Sequence, residues 1–553
     1  MRFLLIVLLF FSYSLHASRI DAPPHPDRYN YLYQSNLYPS APARGPIYHE
    51  RDRAPYQRRI DVTGTATILT VPVAFSDRAH PGIDMNLLAK FKDYYEKSSH
   101  GNFSVQLVVT PTVYSTHTYN YWGSDSHGID TGADHEIYEL AREAVRLLTA
   151  SGFDFQAHNL DTNHDNIVDH FMIIHAGNAQ ENGNSGDIWS HSWKIINGTD
   201  DDYSSLSDTP DGEPATGELK VVNYCIFANS SPLGIMVHEF GHDLGLVDFY
   251  DTTYGSYGTG NWDVMSLGCW NGESYSGESP PLFSAYERFY LGWIAPLDLS
   301  AQSGNFTLPQ MEETDTVYKI SLTGSEYFLL ENRGRTGYDA YLPGGGMLIW
   351  HVDEQVLASK WLDNNVNSDY NHKGVDLEEA DASNSLDRKA NKGDQGDPFP
   401  GTSLKTSFTP DTAPSSNSYY AGLKSAVFLK NIHASDAGIG FDKESSFGFL
   451  AGIFFHPLSA KLLFMSIAST AALDSQELSV NLTEGQSLRQ ISAVHLTGNT
   501  YFATCEINNP SNCLNLDLSG RVSGILKTAS LQFTAAGVKK TFFAPAASGA
   551  GHD

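Results

Sequence analysis

Apolar and polar positions change rhythm along this chain. The run TATILTVPVAFSD (65–77) is rich in β-formers and bounded by turn residues, the pattern of a core strand. MNLLAKFKDYYEKSS then has helical spacing, and NFSVQLVVTPTVYS alternates as a strand does. In DHEIYELAREAVRLLTAS (134–151) the apolar residues Ile137, Leu140, Ala141, Ala144, Val145 and Leu148 return at the period of a helix. Beyond about residue 300, YFLLENRG, GGMLIWHVDE and SAVFLKNIHA are separated by clusters of Gly, Pro, Asn and Asp, which predicts short strands and turns. From about residue 457 LSVNL, ISAVHL and ILKTASLQF continue that alternation, as in a small β-sandwich.

The pattern therefore predicts an α/β (α+β) part over residues 60–300, a β-rich part over 301–445 and a C-terminal β-sandwich-like part over 446–553. One apolar run, FGFLAGIFFHPLSAKLLFMSIAS (447–469), has the length of a membrane span. His456, Pro457 and Lys461 at its centre are costly in lipid, so two core strands joined by a turn fit better.

MRFLLIVLLFFSYSLHAS opens with Arg2, continues with an apolar run too short to span a bilayer and ends in small and polar residues. Residues 1–17 thus read as a secretory signal peptide. Residues 18–59, rich in Pro, Tyr and Arg and ending in Gln57-Arg58-Arg59, read as a pro-segment or leader.

At 553 residues, 41% of them hydrophobic and 18% charged, the chain can bury a large core. Losing residues 1–59 removes eight Arg and four acids, which moves the formal charge from -29 to -33. So acidic a surface argues against nucleic acid and anionic membranes as partners and favours solubility and cations. The four cysteines are too few for a disulfide scaffold. Cys505 and Cys513 are spaced to close a small loop, Cys225 and Cys269 could pair across the segment between them, and no CxxC spacing occurs.

That segment contains MVHEFGHDLGLVDFYD (236–251). Ser231 as N-cap, Pro232 at the first position and Gly245 at the end delimit a helix. On it His238 and His242 lie one turn apart on one face, where two imidazoles can hold one ion. Zinc suits imidazole, and a hydrolytic site uses three protein ligands and an open position. Gly245 lets the chain turn so that Asp248 becomes the third ligand; Asp251 and Glu273 are the alternatives. Glu239, next to the first His, is placed as general base. HExxH alone is suggestive, and Gly245 and Asp248 at fixed offsets make it much more specific.

HEFGHDLGLVDFYD followed by NWDVMSLGCWNG resembles the immune inhibitor A family of secreted bacterial metallopeptidases, a metzincin-like group. The likeness extends to SSHGNFSV (98–105), DTNHDNIVDHFMIIHAG (161–177), DIWSHSW (187–193), VVNYCIF (221–227), YERFYLGWI (286–294), YFLLENR (327–333), GGGMLIWHVDE (344–354) and GDQGDPFPG (393–401). It covers most of residues 65–435 and implies a zinc endopeptidase, which the leader 18–59 suggests is made as a zymogen. It also implies Asp248 as third ligand, a Met-turn at Met265 beneath the metal and protein or peptide substrates. Without the resemblance Met265 reads as a core methionine.

In DTNHDNIVD the residues Asp161, Asn163, Asp165 and Asp169, with the Ile167 carbonyl, offer hard oxygens at alternating positions, which suits a structural calcium ion. His164 and Asn166 flank Asp165 where the family's loop has Gly. GDQGDPF (393–399) is a second acidic loop that could hold a cation or be an ordinary turn. Tyr254, Tyr257 and Tyr275 follow the helix as unassigned candidates for transition-state donors. The rival to a secreted zinc endopeptidase is a secreted calcium-dependent binding or adhesion protein with an idle peptidase domain, against which the full set of His238, Glu239, His242 and Asp248 weighs.

Overall fold

The structure is a computed structural model. It describes residues 20–21, 57, 59–60, 62–124, 137–184, 186–195, 213–215, 219–322, 325–420 and 425–445, and strands within 448–548. The signal-peptide reading of residues 1–17, most of the 18–59 leader and the side chains of Cys505 and Cys513 lie outside these described residues.

The predicted first strand forms as Gly64–Ala74, one place in from the edge of a mostly parallel sheet. Phe103–Val109 and His170–His175 pair with it in parallel, and Asn223–Ala228 extends the sheet in parallel beyond His170–His175. His191–Lys194 then joins antiparallel, and Ile20–Asp21 adds to its outer edge. Successive side chains of a strand point to opposite faces, so Ala66 and Ile68 enter one apolar core and Leu69, Val71 and Val73 the other. A strand covered on both faces is apolar throughout, which is why TATILTVPVA shows no alternation.

The helix Ile137–Ala150 covers the second face with the stripe read from its sequence. The first face receives Met85–Ser98, capped by the Asp84 carboxylate on the amides of Asn86 and Leu87, and Leu233–Asp243. These two helices are held together by rings: Phe91 meets Phe240 at 5.5 Å between centroids and Tyr95 meets Phe240 at 5.2 Å. Tyr95 Oη also donates to the Val237 carbonyl at 2.7 Å, fixing the second helix along its axis.

Of the predicted strands of the β-rich part, Val427–Ser435 pairs with Gly438–Ser445 in one sheet, while Glu326–Arg333 and Gly346–Asp353 lie in another, ordered Leu297–Asp298, Tyr318–Ser321, Glu326–Arg333, Gly346–Asp353, Val375–Leu377. Tyr327, Leu329, Leu348, Trp350 and Val352 from one face enter the same core as the helix Leu233–Asp243. Phe328, Leu330, Met347 and Ile349 on the other face pack in a separate cluster. Buried charge reinforces the first junction: Arg288 reaches Glu331 at 3.2 Å, and Arg333 grips Asp339 at 2.6 Å. In the C-terminal part nine strands form one antiparallel path, and the apolar run becomes the hairpin strands Gly448–His456 and Ser459–Ser469. Among the described residues no helix is long and apolar enough to cross a membrane.

His351 on the strand Gly346–Asp353 is buried with Nε2 3.1 Å from Glu326 and Nδ1 3.0 Å from Glu378. Burial alone would lower its pKa, but the two carboxylates outweigh it and push it up to about 9. A raised histidine pKa stabilises the fold fully below the ordinary value near 6.5, and that stabilisation is lost as pH climbs through 9. At about 1.4 kcal/mol per pKa unit the expected loss is about 3 kcal/mol. Urea unfolding should therefore show wild type and His351→Gln converging between pH 6 and pH 9.5, and a pH-independent gap would exclude this account.

Candidate metal centre

The helix Leu233–Asp243 (LGIMVHEFGHD) is buried at every position from Leu233 to His242. It begins one residue later than its sequence suggests, with Pro232 as N-cap. Ser231 stands outside the helix, its Oγ accepting the Ala228 amide at 3.1 Å. The helix end is as read: Gly245 has φ +100°, donates to the His242 carbonyl at 2.8 Å, and Leu246 returns to Gly241 at 3.0 Å. That left-handed residue costs glycine little and other residues about 1 kcal/mol or more. It reverses the chain and leads it back past the helix to Asp248.

The rings of His238 and His242 stand at 87° with centroids 4.7 Å apart. Nδ1 of His238 lies 2.8 Å from the Val264 carbonyl, and Nδ1 of His242 lies 3.0 Å from the Leu246 carbonyl. A carbonyl only accepts, so each Nδ1 carries the proton and each Nε2 keeps its lone pair. The two Nε2 atoms are 3.2 Å apart, and Asp248 Oδ1 lies 3.2 and 3.3 Å from them. Two lone pairs and a carboxylate oxygen at this separation repel unless something positive lies among them. Three ligands of a tetrahedral zinc with bonds of about 2.0–2.1 Å are separated by about 3.3–3.4 Å, so the donor set fits that ion.

Asp248 is fully buried against the two imidazoles. Its geometry comes from a residue that sequence reasoning missed. Asn364 donates from Nδ2 to Asp248 Oδ2 at 2.5 Å and accepts the Asp248 amide on Oδ1 at 2.9 Å. The turn that carries it is pinned by Asn367, whose Nδ2 donates to the Phe249 and Val375 carbonyls, both at 2.9 Å. No periodicity points across 116 residues; the asparagine-rich WLDNNVN was the one visible sign.

The alternative ligands are occupied elsewhere. Asp251 caps a turn, accepting the amides of Thr253 and Ser256, both at 2.8 Å. Glu273 accepts the Tyr341 hydroxyl at 2.8 Å on the surface. Glu239 is fully buried beside His238. Met265 lies against the helix between the two histidines: a Cβ on Gly241 would come within 2.5 Å of its Sδ. Asp263 Oδ1 accepts the Met265 amide at 2.7 Å, and Met265 in turn accepts the Phe249 amide at 2.8 Å. Burial and the neighbouring Asp263 push Glu287 far above the usual carboxylate range, and burial lifts Asp263 to about 6.

Tyr254 and Tyr257 are buried, whereas Tyr275 is 57% exposed. Cys225 and Cys269 do not pair, contrary to the sequence reading; both are buried free thiols. The helix passes between them: Cys225 contacts the Glu239 carbonyl with its Sγ at 3.6 Å, and the Cys269 backbone packs so closely on Gly234 that a Cβ there would be 1.8 Å from the Cys269 oxygen.

In the loop 161–169 the acids serve the loop's own amides. Asp161 accepts from Asp165 and Asn166 at 3.1 and 2.9 Å, Asn163 from Asp165 at 2.9 Å, Asp165 from Ile167 at 2.9 Å and Asp169 from Thr162 at 2.8 Å. His164 and Asn166 supply left-handed bends, with φ of 60° and 67°. Among the described residues two groups of three or more His, Cys, Asp or Glu come close enough to share an ion: His238, His242 and Asp248, and Glu379, Asp381 and Asp397.

The family model described as the immune inhibitor A peptidase M6 catalytic domain matches residues 71–293, which include the helix, Asp248 and Met265. The pre-pro-metalloprotease PrtV of Vibrio cholerae serotype O1 is 30% identical over 239 residues, which are 39% of this chain and 25% of PrtV. Immune inhibitor A of Bacillus thuringiensis subsp. alesti is 33% identical over 229 residues, 37% of this chain and 32% of that protein. The matches thus span a quarter to a third of the length of these relatives. Residues 71–293 are similar to the catalytic domain of the immune inhibitor A (peptidase M6) metallopeptidases.

Proposed function

We propose that this protein is an exported zinc-dependent endopeptidase acting on extracellular proteins. In this reading His238, His242 and Asp248 hold the metal and Glu239 is the general base, on a metzincin-like framework with Met265 beneath the ligands. The observation that carries it is the triangle of Nε2, Nε2 and Oδ1 atoms with edges of 3.2, 3.2 and 3.3 Å. Bound there, zinc supplies Lewis acidity toward the scissile carbonyl and acidifies water.

The chain's own groups do the rest. The Val264 and Leu246 carbonyls fix the imidazole tautomers, and Asn364 orients the Asp248 carboxylate. Glu239 takes the proton of the attacking water and delivers it to the leaving amine. Export is supported by the layout of residues 1–17, and a zymogen by the basic pair Arg58-Arg59 just ahead of Ile60, whose amide is already seated on the Tyr290 carbonyl at 2.7 Å. Calcium at Asp161, Asn163, Asp165, Ile167 and Asp169 belongs to the same reading as a structural ion.

Selective metal removal tests these roles together. A zinc chelator should abolish hydrolysis of a casein-like substrate, and added zinc should restore it. Calcium removal should instead lower the melting temperature, and by less in Asp165→Ala than in wild type. Undiminished proteolysis in the zinc-free protein would defeat the peptidase reading. Equal shifts in wild type and Asp165→Ala would reduce the loop to a turn.

A further inference from the structure

Glu379, Asp381 and Asp397 each offer a carboxylate oxygen within 4.8 Å of the other two. Calcium–oxygen bonds are about 2.3–2.6 Å long, so oxygens up to about 4.6–5.2 Å apart can share one ion. The backbone gathers these three. The amide of Ala380, which lies between Glu379 and Asp381, donates to the Asp397 carbonyl at 2.9 Å. The GDQGD loop then passes close beneath: a Cβ on Gly396 would lie 2.7 Å from Asp381 Oδ2 and 2.9 Å from Asp394 Oδ1, so only glycine leaves those oxygens in place.

Acidic turns are common without an ion, and Asp397 is what distinguishes this one. Its side chain is fully buried. Oδ2 accepts the Trp262 indole N–H at 2.8 Å and the Asp394 amide at 2.9 Å, while the buried Oδ1 has no hydrogen-bond donor. Burial, with the charges of Glu379 and Asp394 added, pushes its pKa up to about 7. Lys373, the cation that acts on Glu379, is already held by Asp376 and by Asp387, the latter at 2.6 Å. A buried carboxylate oxygen without a donor, beside two more carboxylates, is a place where a cation removes a desolvation cost.

We propose that Glu379, Asp381 and Asp397 bind one hard divalent cation, calcium, at a site separate from the zinc ligands and from the loop 161–169. The donors are carboxylates with no imidazole or thiolate among them, which selects calcium over zinc. Glu379 is fixed in place, with Oε1 accepting the Leu386 amide at 3.0 Å and Oε2 accepting the Ser385 amide at 2.6 Å and the Ser383 hydroxyl at 2.9 Å. Asp381 is exposed and gives the ion its way in. Through Asp397 the ion braces Trp262, and Asn261 alongside donates its amide to the Lys392 carbonyl at 2.8 Å. Asp263 and Met265 follow directly, so the cation anchors the turn beneath the zinc ligands.

Terbium(III) is the probe, because it replaces calcium and luminesces when an excited indole lies close by. Titrated into the zinc-loaded full chain, terbium should give tryptophan-sensitised emission that calcium displaces. Asp165→Ala should retain that signal, whereas Asp381→Asn should weaken terbium binding at least tenfold. Trp262→Phe should lose most of the sensitised emission while calcium still raises its melting temperature. Asp381→Asn is exposed and isosteric, so its fold survives even if that of Asp397→Asn does not. Wild-type affinity in Asp381→Asn, or a calcium-displaceable signal that vanishes with Asp165→Ala alone, would overturn the proposal.

Discussion

Glu239→Gln is expected to lower kcat on a casein-like substrate by about 10² to 10⁴-fold, with one zinc per chain still bound and KM little changed. The substitution keeps the shape of the side chain and removes only its ability to take a proton. It also takes a buried charge out of the core, so the fold should not suffer. The split between kcat and metal content separates the roles. Loss of zinc along with activity would mean that Glu239 supports the ligands, and unchanged kcat would remove it from the reaction. Because binding is spared, the variant should also be slow to process itself, and the leader should persist on the purified chain.

The second large effect concerns the third ligand. Asp248→Ala removes one of three donors and the carboxylate that the Asn364 amide contacts at 2.5 Å. Zinc affinity should fall by more than the roughly 10–100-fold typical of a residue that only orients a ligand, and Asn364→Ala should fall within that range. Each tenfold loss of affinity removes about 1.4 kcal/mol of zinc-linked stability. Competition with a chromophoric chelator would measure both variants. Wild-type affinity in Asp248→Ala would place the third ligand elsewhere, and an Asn364→Ala variant more damaging than Asp248→Ala would reverse their roles.

How far a sequence can be read depends on the distance over which each feature is decided. His238 and His242 were legible because helix geometry alone puts positions four apart on one face. Gly245 was legible because few other residues tolerate its φ of +100°. The N-cap was off by one because Ser231 has a competing use in the turn before the helix, accepting the Ala228 amide. Asn364, the Asp263–Glu287 pair and the Trp262–Asp397 contact are settled by tertiary packing, and no local period encodes that. The same holds for the cysteines flanking the helix, which look like a pair along the chain and are separated by the helix in space. The strands beyond residue 300 announced themselves, but not that one face of their sheet would share the core of the helix Leu233–Asp243.

That shared core has a consequence for what counts as the heritable unit. The family match ends at residue 293, yet the grip on Asp248 comes from residue 364 and the brace on Trp262 from residue 397. A segment can carry every reacting group and still borrow its rigidity from its neighbour. In this chain the boundary of resemblance and the boundary of mechanical sufficiency fall about a hundred residues apart, so recombination at the first would separate the chemistry from its scaffold.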